Sequence, residues 1–115
     1  MKIYHNPRCS KSRETLKIIL DHNIEPEIHL YLENPLSIEE IKNILGLLNK
    51  SADKIIRKNE EIYKELDLKN ASLEILIKNM SKHPILLERP IVVSNNRAVI
   101  GRPPENVKDL IINFN

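Results

Sequence analysis

The chain has 115 residues and a net charge of +2, with 18 Lys and Arg against 16 Asp and Glu. This length favours a single domain over residues 1–115, large enough to bury a hydrophobic core. One cysteine excludes an intramolecular disulfide, and with four scattered histidines it gives no zinc spacing, so we expect no metal site. The small net charge and the four aromatic residues argue against a nucleic-acid partner.

The amino-terminal residues predict neither a signal peptide nor a membrane helix. The apolar run after Lys2 stops at His5-Asn6-Pro7. A signal peptide needs about 7–15 continuous apolar residues and a transmembrane helix about 20. We therefore expect a cytoplasmic protein without membrane contacts, in which the thiol stays reduced. A monomer is the expected state.

The beginning of the chain predicts a β-α-β unit. Residues 2–5 are typical of a strand, 6–8 of a turn, 10–22 of a helix and 27–32 of a second strand. A strand, a helix and a strand within about 30 residues favour a parallel pair of strands. The apolar residues that define the expected inner faces are Leu16, Ile19 and Leu20 in the helix and Ile28, Leu30 and Leu32 in the second strand.

The middle of the chain, about 37–82, predicts a helical insertion without strands. Ser37 and Glu40 have the spacing of a capping box, which begins the first of its helices. A later helix begins near Ser72 and ends before Pro84. The residues that this later helix is expected to bury are Leu73, Leu76, Ile77 and Met80.

The carboxy-terminal part predicts a hairpin and a final helix. Residues 91–93 and 98–100 are rich in β-branched side chains, and the Ser-Asn-Asn turn at 94–96 joins them. A helix that carries Val107, Leu110 and Ile111 then follows. The order of elements is therefore β-α-β, helical insertion, β-β-α, which is an α/β fold with a mixed sheet.

Cys9 lies where the first strand ends and the first helix begins. Unpaired backbone N–H groups and the positive end of the helix dipole stabilise a thiolate there, and the thiolate is the nucleophilic form of cysteine. Arg8, Lys11 and Arg13 add positive charge nearby, and His5 is a further source of it. The alternative is that Cys9 is a small buried apolar residue, as most free cysteines are.

Spacing excludes two kinds of cysteine chemistry. A Cys-x-x-Cys pair requires a second thiol at position 12, which is Ser12. A phosphatase loop of the Cys-x5-Arg type requires arginine at position 15, which is Thr15. If Cys9 is catalytic, the second thiol has to come from outside the chain, from glutathione or from a thiol protein.

Two arginines adjoin the predicted hairpin. Arg89 precedes Pro90, and X-Pro bonds are the usual site of cis peptides. Arg102 follows Gly101 before the last helix. In the predicted topology both arginines reach the end of the first strand, near Cys9, where guanidinium groups suit an oxyanion. The alternative is that they are surface arginines that pair weakly with acids.

The order of several motifs resembles the glutaredoxin-coupled arsenate reductases over nearly the whole chain. This resemblance implies a thioredoxin-like fold with a helical insertion. Gly101 is one difference, since the family members with which we compare it have cysteine before the last arginine. The segments that carry the resemblance are 3–13 (IYHNPRCSKSR), 31–35 (YLENP), 56–59 (IRKN), 63–66 (YKEL), 83–86 (HPIL), 89–93 (RPIVV) and 101–103 (GRP).

The resemblance also implies a mechanism. Cys9 is then the nucleophile that attacks arsenate, and glutathione and glutaredoxin are the electron donors, with no bound cofactor. The histidine that favours the thiolate falls on His5, and the serine beside the thiolate falls on Ser12. The oxyanion-binding arginines of the family fall on Arg57, Arg89 and Arg102.

Two other functions stay open. One is a general thiol-disulfide oxidoreductase of the same fold that acts on another oxyanion or on mixed disulfides of proteins. The other is a binding module without activity, like the related Spx transcription regulators. Spx-type proteins often carry Cys-x-x-Cys, which Ser12 removes here.

Overall fold

The structure is a computed structural model that describes residues 1–112 and 114. Asn113 and Asn115, which belong to the predicted domain 1–115, lie outside the described residues. The chain forms two compact units. The first combines Met1–Tyr31 with the chain from Arg89 onward, and the second is Leu32–Glu88.

The first unit contains a four-stranded mixed sheet. The strands are β1 (Lys2–His5), β2 (Glu27–Leu30), β3 (Ile91–Ser94) and β4 (Arg97–Ile100), in the spatial order β2-β1-β3-β4. β1 and β2 are parallel, whereas β3 is antiparallel to both β1 and β4. The helix α1 (Ser10–Asp21) connects the parallel pair, so the predicted β-α-β unit is confirmed.

The core of this unit lies between the sheet and the helices. Ile3 and Val92 share one sheet face because they are partners in the β1–β3 register. They pack with Ile19 of α1, with Val107, which ends the short 3₁₀ helix Pro104–Val107, and with Leu110 of α6 (Lys108–Ile111). The strands and helices of this unit are arranged as in a thioredoxin-like fold, which confirms the predicted fold class.

The buried face of α1 differs from the prediction. Leu20 is 48% exposed, whereas Ser12, Thr15 and Ile19 are buried. The buried positions are spaced by three and four residues, as on any packed helix, but two of them are polar. Apolar periodicity therefore placed the inner face of α1 incorrectly at its carboxy-terminal end.

The second strand also differs from the prediction. It ends at Leu30, not at residue 32, and Ile28 is 47% exposed. Leu32 is exposed as well. β2 is an edge strand with β1 as its one neighbour in the sheet, so its alternating apolar side chains are not enclosed from both sides.

The second unit is helical over most of its length. The capping box at Ser37 and Glu40 is present, and Ser72 caps the helix that follows it. The predicted last helix of the insertion is thus confirmed, except that Leu73 is exposed and the buried part begins at Leu76. The α-helices are α2 (Ile38–Leu48), α3 (Ala52–Ile55), α4 (Glu61–Glu65) and α5 (Leu73–Lys82), and the 3₁₀ helices are Leu68–Asn70 and Pro84–Leu86.

The second unit also contains an isolated β-bridge between two segments that follow its helices, which the sequence did not predict. Ile56 pairs with Leu87 in antiparallel orientation. This contact joins residues that are far apart in the chain, and apolar periodicity does not report such pairings. No helix among the described residues is long and apolar enough to span a membrane.

Candidate active site

A compact turn connects β1 to α1. The Cys9 N–H donates to the Asn6 carbonyl oxygen at 3.0 Å, and the Arg8 N–H donates to Asn6 Oδ1 at 3.0 Å. The Arg13 guanidinium closes the turn from the helix side, since its Nη1 donates to the Pro7 carbonyl oxygen at 2.9 Å. The Asn-Pro pair predicted the turn, but nothing in the pattern indicated that the Asn6 side chain would hold it.

This turn places Cys9 at the N-cap of α1. Its backbone is extended (φ −95°, ψ 121°), and its carbonyl oxygen accepts the Arg13 N–H at 3.0 Å. The N–H groups of residues 10–12 have no preceding turn of helix to donate to, and the Cys9 side chain does not bond to them. Cys9 is 8% exposed, so most of its surface is shielded from water.

His5 and Ser12 form a buried polar pair next to this turn. His5 Nδ1 lies 2.6 Å from Ser12 Oγ, and the Asn6 N–H donates to the same oxygen at 3.0 Å. Both side chains are buried, with Ser12 fully enclosed. The end of β1 and the first turn of α1 are therefore joined through side chains as well as through the backbone.

The surroundings of the His5 imidazole act against a positive charge. Burial lowers the pKa of His5, and the positive charge of Arg13 lowers this pKa further. Both effects oppose the charge that the sequence led us to expect at His5. The imidazole lies within hydrogen-bonding distance of the Ser12 hydroxyl.

The lowered pKa makes folding stability depend on pH. Below its ordinary pKa of about 6.5, the histidine binds a proton in the unfolded chain but not in the folded one. We therefore expect the free energy of unfolding to fall as the pH drops from about 6.5 towards the lowered value, by at most about 1.4 kcal/mol per pH unit. Urea unfolding between pH 5 and 8 measures this slope.

Two histidine variants test whether His5 causes this dependence of stability on pH. His5→Asn removes the titrating group and is expected to flatten the slope. His22→Asn removes an exposed histidine at the end of α1 and serves as the control. Equal slopes for wild type and His5→Asn would contradict the assignment.

Arg102 contacts Cys9, although the two residues are 93 positions apart in the sequence. Its Nη2 lies 3.6 Å from Cys9 Sγ, and its Nε donates to the Arg89 carbonyl oxygen at 2.7 Å. The Arg89 side chain is partly buried, with Nε and Nη1 enclosed. The structure thus places the Arg102 side chain at Cys9 and the Arg89 carbonyl oxygen beside Arg102, and the Arg89–Pro90 bond is cis.

Gly101, the residue before Arg102, packs closely against Thr15 and Pro90. A Cβ atom at Gly101 would lie 2.7 Å from Pro90 Cγ and would also overlap the hydroxyl of Thr15. Thr15 is fully buried, and its hydroxyl donates to the Lys11 carbonyl oxygen at 2.8 Å. A larger residue at this position therefore requires α1 or the β3 entry to move, which accounts for glycine in this chain.

Arg57 lies in the second unit, next to the β-bridge. Its N–H donates to the Leu86 carbonyl oxygen at 2.8 Å. Its side chain pairs with Glu60, with Nη1 2.8 Å from Oε2, and its Nε lies 4.0 Å from Glu88 Oε1. Sequence spacing did not indicate these two acidic partners, because their contacts with Arg57 depend on the turn after Arg57 and on the bridge.

The described residues contain no group of three His, Cys, Asp or Glu side chains that could hold a metal ion. The first unit is thus a thioredoxin-like domain with its single cysteine at the start of the first helix and an arginine beside the sulfur. These two features are those of a thiol-dependent oxidoreductase of the thioredoxin-like class.

The chain matches the ArsC family model over residues 4–110 and therefore belongs to the ArsC family. It is 50% identical to the uncharacterized protein YfgD of Escherichia coli strain K12 over 114 residues, 96% of each chain. It is 44% identical to the arsenate reductase of Haemophilus influenzae over 112 residues, 95% of this chain and 97% of the relative. The structure of arsenate reductase from Vibrio cholerae matches with a TM-score of 0.91 and 46% identity, covering 94% of both chains.

Proposed function

We propose that the protein reduces arsenate to arsenite, with glutathione and glutaredoxin as electron donors. The observation that carries this proposal is the 3.6 Å approach of Arg102 Nη2 to Cys9 Sγ at the start of α1. The sulfur in this position has a guanidinium beside it and the N-terminus of α1 behind it, so a nucleophile and two sources of positive potential for an oxyanion lie together. Family membership and the arsenate reductases among the relatives support the same activity.

In the first step, the Cys9 thiolate attacks the arsenic atom of arsenate. A sulfur–arsenic bond forms, and one arsenate oxygen leaves as water after protonation. Two anions have to approach each other, so donors that neutralise the oxyanion lower the barrier. The Arg102 fork and the N–H groups of residues 10–12 supply such donors in this chain.

In the second step, the glutathione thiolate attacks the Cys9 sulfur. The sulfur–arsenic bond breaks, its electron pair stays on arsenic, and As(V) becomes As(III), which leaves as arsenite. A mixed disulfide between Cys9 and glutathione remains. Glutaredoxin then attacks the glutathione sulfur and releases the Cys9 thiolate, so two external thiols supply the two electrons.

Five further residues assist in this proposal. Ser12 is the residue that the family resemblance puts beside the sulfur, and its hydroxyl lies 2.6 Å from His5 Nδ1. When His5 carries its proton on Nδ1, the Ser12 hydroxyl hydrogen is free to be donated to the thiolate. Arg89, together with Arg57 of the second unit, completes the oxyanion-binding set that the family resemblance implies. Asn6 keeps the turn in place.

The proposal includes the setting of the reaction. The protein acts as a cytoplasmic monomer without a bound cofactor, and glutathione is a co-substrate. Cytoplasmic glutathione keeps the single thiol reduced between turnovers. Neither a nucleic acid nor a membrane takes part.

An assay with purified components tests this function. Arsenite formation is measured with arsenate, glutathione, glutaredoxin and a glutathione-regenerating reductase, and each thiol component is left out in turn. We expect arsenite only in the complete mixture, because the chain has one cysteine and requires two external thiols. Turnover of a mixed disulfide substrate without any arsenite formation would contradict arsenate reduction and favour a general thiol-disulfide oxidoreductase.

A further inference from the structure

Arg57 is held by two acidic side chains of its own unit. Glu60 Oε2 is 2.8 Å from Arg57 Nη1, which is a short charge-assisted contact, and Glu88 Oε1 is 4.0 Å from Arg57 Nε. The three side chains are between 21% and 29% exposed, so water screens these ion pairs only in part. Arg57 therefore carries a local negative counter-charge within its own unit.

The backbone fixes this arrangement. The Arg57 N–H donates to the Leu86 carbonyl oxygen, and the Glu88 N–H donates to the Ile55 carbonyl oxygen at 3.0 Å. These two bonds flank the antiparallel Ile56–Leu87 bridge, so Arg57 and Glu88 lie diagonally across it on neighbouring segments. The Glu60 N–H donates back to the Arg57 carbonyl oxygen at 3.4 Å, which closes a turn and brings the Glu60 carboxylate to the guanidinium.

An anion that binds to Arg57 meets these carboxylates. Glu60 occupies one edge of the guanidinium fork, and a bidentate contact with an oxyanion uses two parallel N–H groups of that fork. The carboxylate also repels an anion that approaches the remaining donors. Oxyanion binding at this arginine therefore requires that Glu60 be displaced or that the repulsion be overcome.

We infer that Glu60, with Glu88 in support, is an internal competitor for Arg57 that weakens the binding of the oxyanion substrate. This inference rests on the proposed role of Arg57 in oxyanion binding. Glu60 is thus a residue that sets substrate affinity and acts through Arg57. It takes no part in the reaction at the Cys9 sulfur.

Substitutions that remove one negative charge measure the competition between Glu60 and the oxyanion for Arg57. Glu60→Gln is expected to lower the KM for arsenate about two- to fivefold, the range for loss of a partly exposed ion pair. The change falls on KM rather than on kcat, because Glu60 acts before the sulfur–arsenic bond forms. Glu61→Gln is the matched control, since it removes the same charge from the exposed neighbouring residue.

A double-mutant cycle shows whether the effect passes through Arg57. In an Arg57→Ala background, Glu60→Gln is expected to bring no further gain in affinity. A KM for Glu60→Gln that equals that of Glu61→Gln, or a KM above the wild-type value, would overturn the inference while arsenate reduction stands.

Calorimetry keeps the inference separate from the proposed function. Arsenate is titrated into Cys9→Ser, in which chemistry does not occur, with and without Glu60→Gln. Tighter arsenate binding with Glu60→Gln supports the competition, even if the wild-type protein forms no arsenite. Equal affinity, or no binding in either variant, overturns the inference.

Discussion

Cys9→Ser is expected to lower arsenite formation at least about a thousandfold, which is below detection in a coupled assay. A serine hydroxyl is not ionised near neutral pH, so it does not attack arsenate as a thiolate does. Even in a serine–arsenate ester, attack by a thiol on the serine oxygen would not release the arsenic as As(III). The described residues offer no second sulfur nucleophile, since Cys9 is the one cysteine of the sequence. Arsenite release from purified protein, glutathione and glutaredoxin measures the loss.

The fold is expected to survive this substitution. Serine is a preferred N-cap residue, and Cys9 occupies the N-cap of α1. Circular dichroism and urea unfolding confirm that the variant is folded. Ser10→Ala, at the exposed first position of the helix, is the control that keeps the thiol, and it is expected to retain activity. Arsenite formation by Cys9→Ser at a rate near that of Ser10→Ala would contradict the mechanism.

Arg102→Ala is expected to lower kcat/KM for arsenate about a hundred- to a thousandfold. The guanidinium Nη2 is 3.6 Å from Cys9 Sγ, so in the proposed mechanism the side chain can bind the oxyanion while the sulfur attacks it. Arg102→Lys keeps the charge but loses the planar fork, and its Nε contact with the Arg89 carbonyl oxygen is lost as well. We expect its activity to lie between those of wild type and alanine variant.

Arg97→Ala provides the control for charge. Arg97 begins β4, whereas Arg102 follows its end, and the exposed Arg97 donates to the Asp109 carbonyl oxygen at 3.3 Å. This variant removes one positive charge without touching Cys9, and we expect kcat/KM to stay within about twofold of the wild-type value. The alkylation rate of Cys9 by iodoacetamide, followed against pH, gives a second measure. Equal behaviour of the Arg102 and Arg97 variants would show that Arg102 does not assist the reaction.

Local features of the chain were predictable because they depend on neighbouring residues. The capping box of Ser37 and Glu40 is present as its spacing requires. The Ser94-Asn-Asn turn also lies where the sequence predicted it, with Asn95 in the left-handed region at φ 54°. Each of these features arises within a few residues, so one stretch of sequence contains its cause.

Burial was less predictable because it depends on which elements meet. Leu20 has the spacing of a core residue on α1, yet it is exposed, and the buried positions of that helix include Ser12 and Thr15. Both polar side chains are satisfied by hydrogen bonds near Cys9 and Gly101. Ile28 is exposed because its strand lies at the edge of the sheet. Apolar periodicity shows neither that a buried polar side chain finds a hydrogen-bond partner nor that a strand lies at the edge of the sheet.

The sequence by itself determined that one thiol lies at the start of a helix after a strand, and that any redox cycle needs a second thiol from outside. Only the tertiary structure decided which residues face this thiol. Arg102, 93 positions away, comes within 3.6 Å of the sulfur because β3 pairs with β1 and β4. Burial lowers the pKa of His5, and the turn after Arg57 gives that arginine its counter-ion. The physical reason is that charge and burial depend on distances in space, which one sequence does not contain.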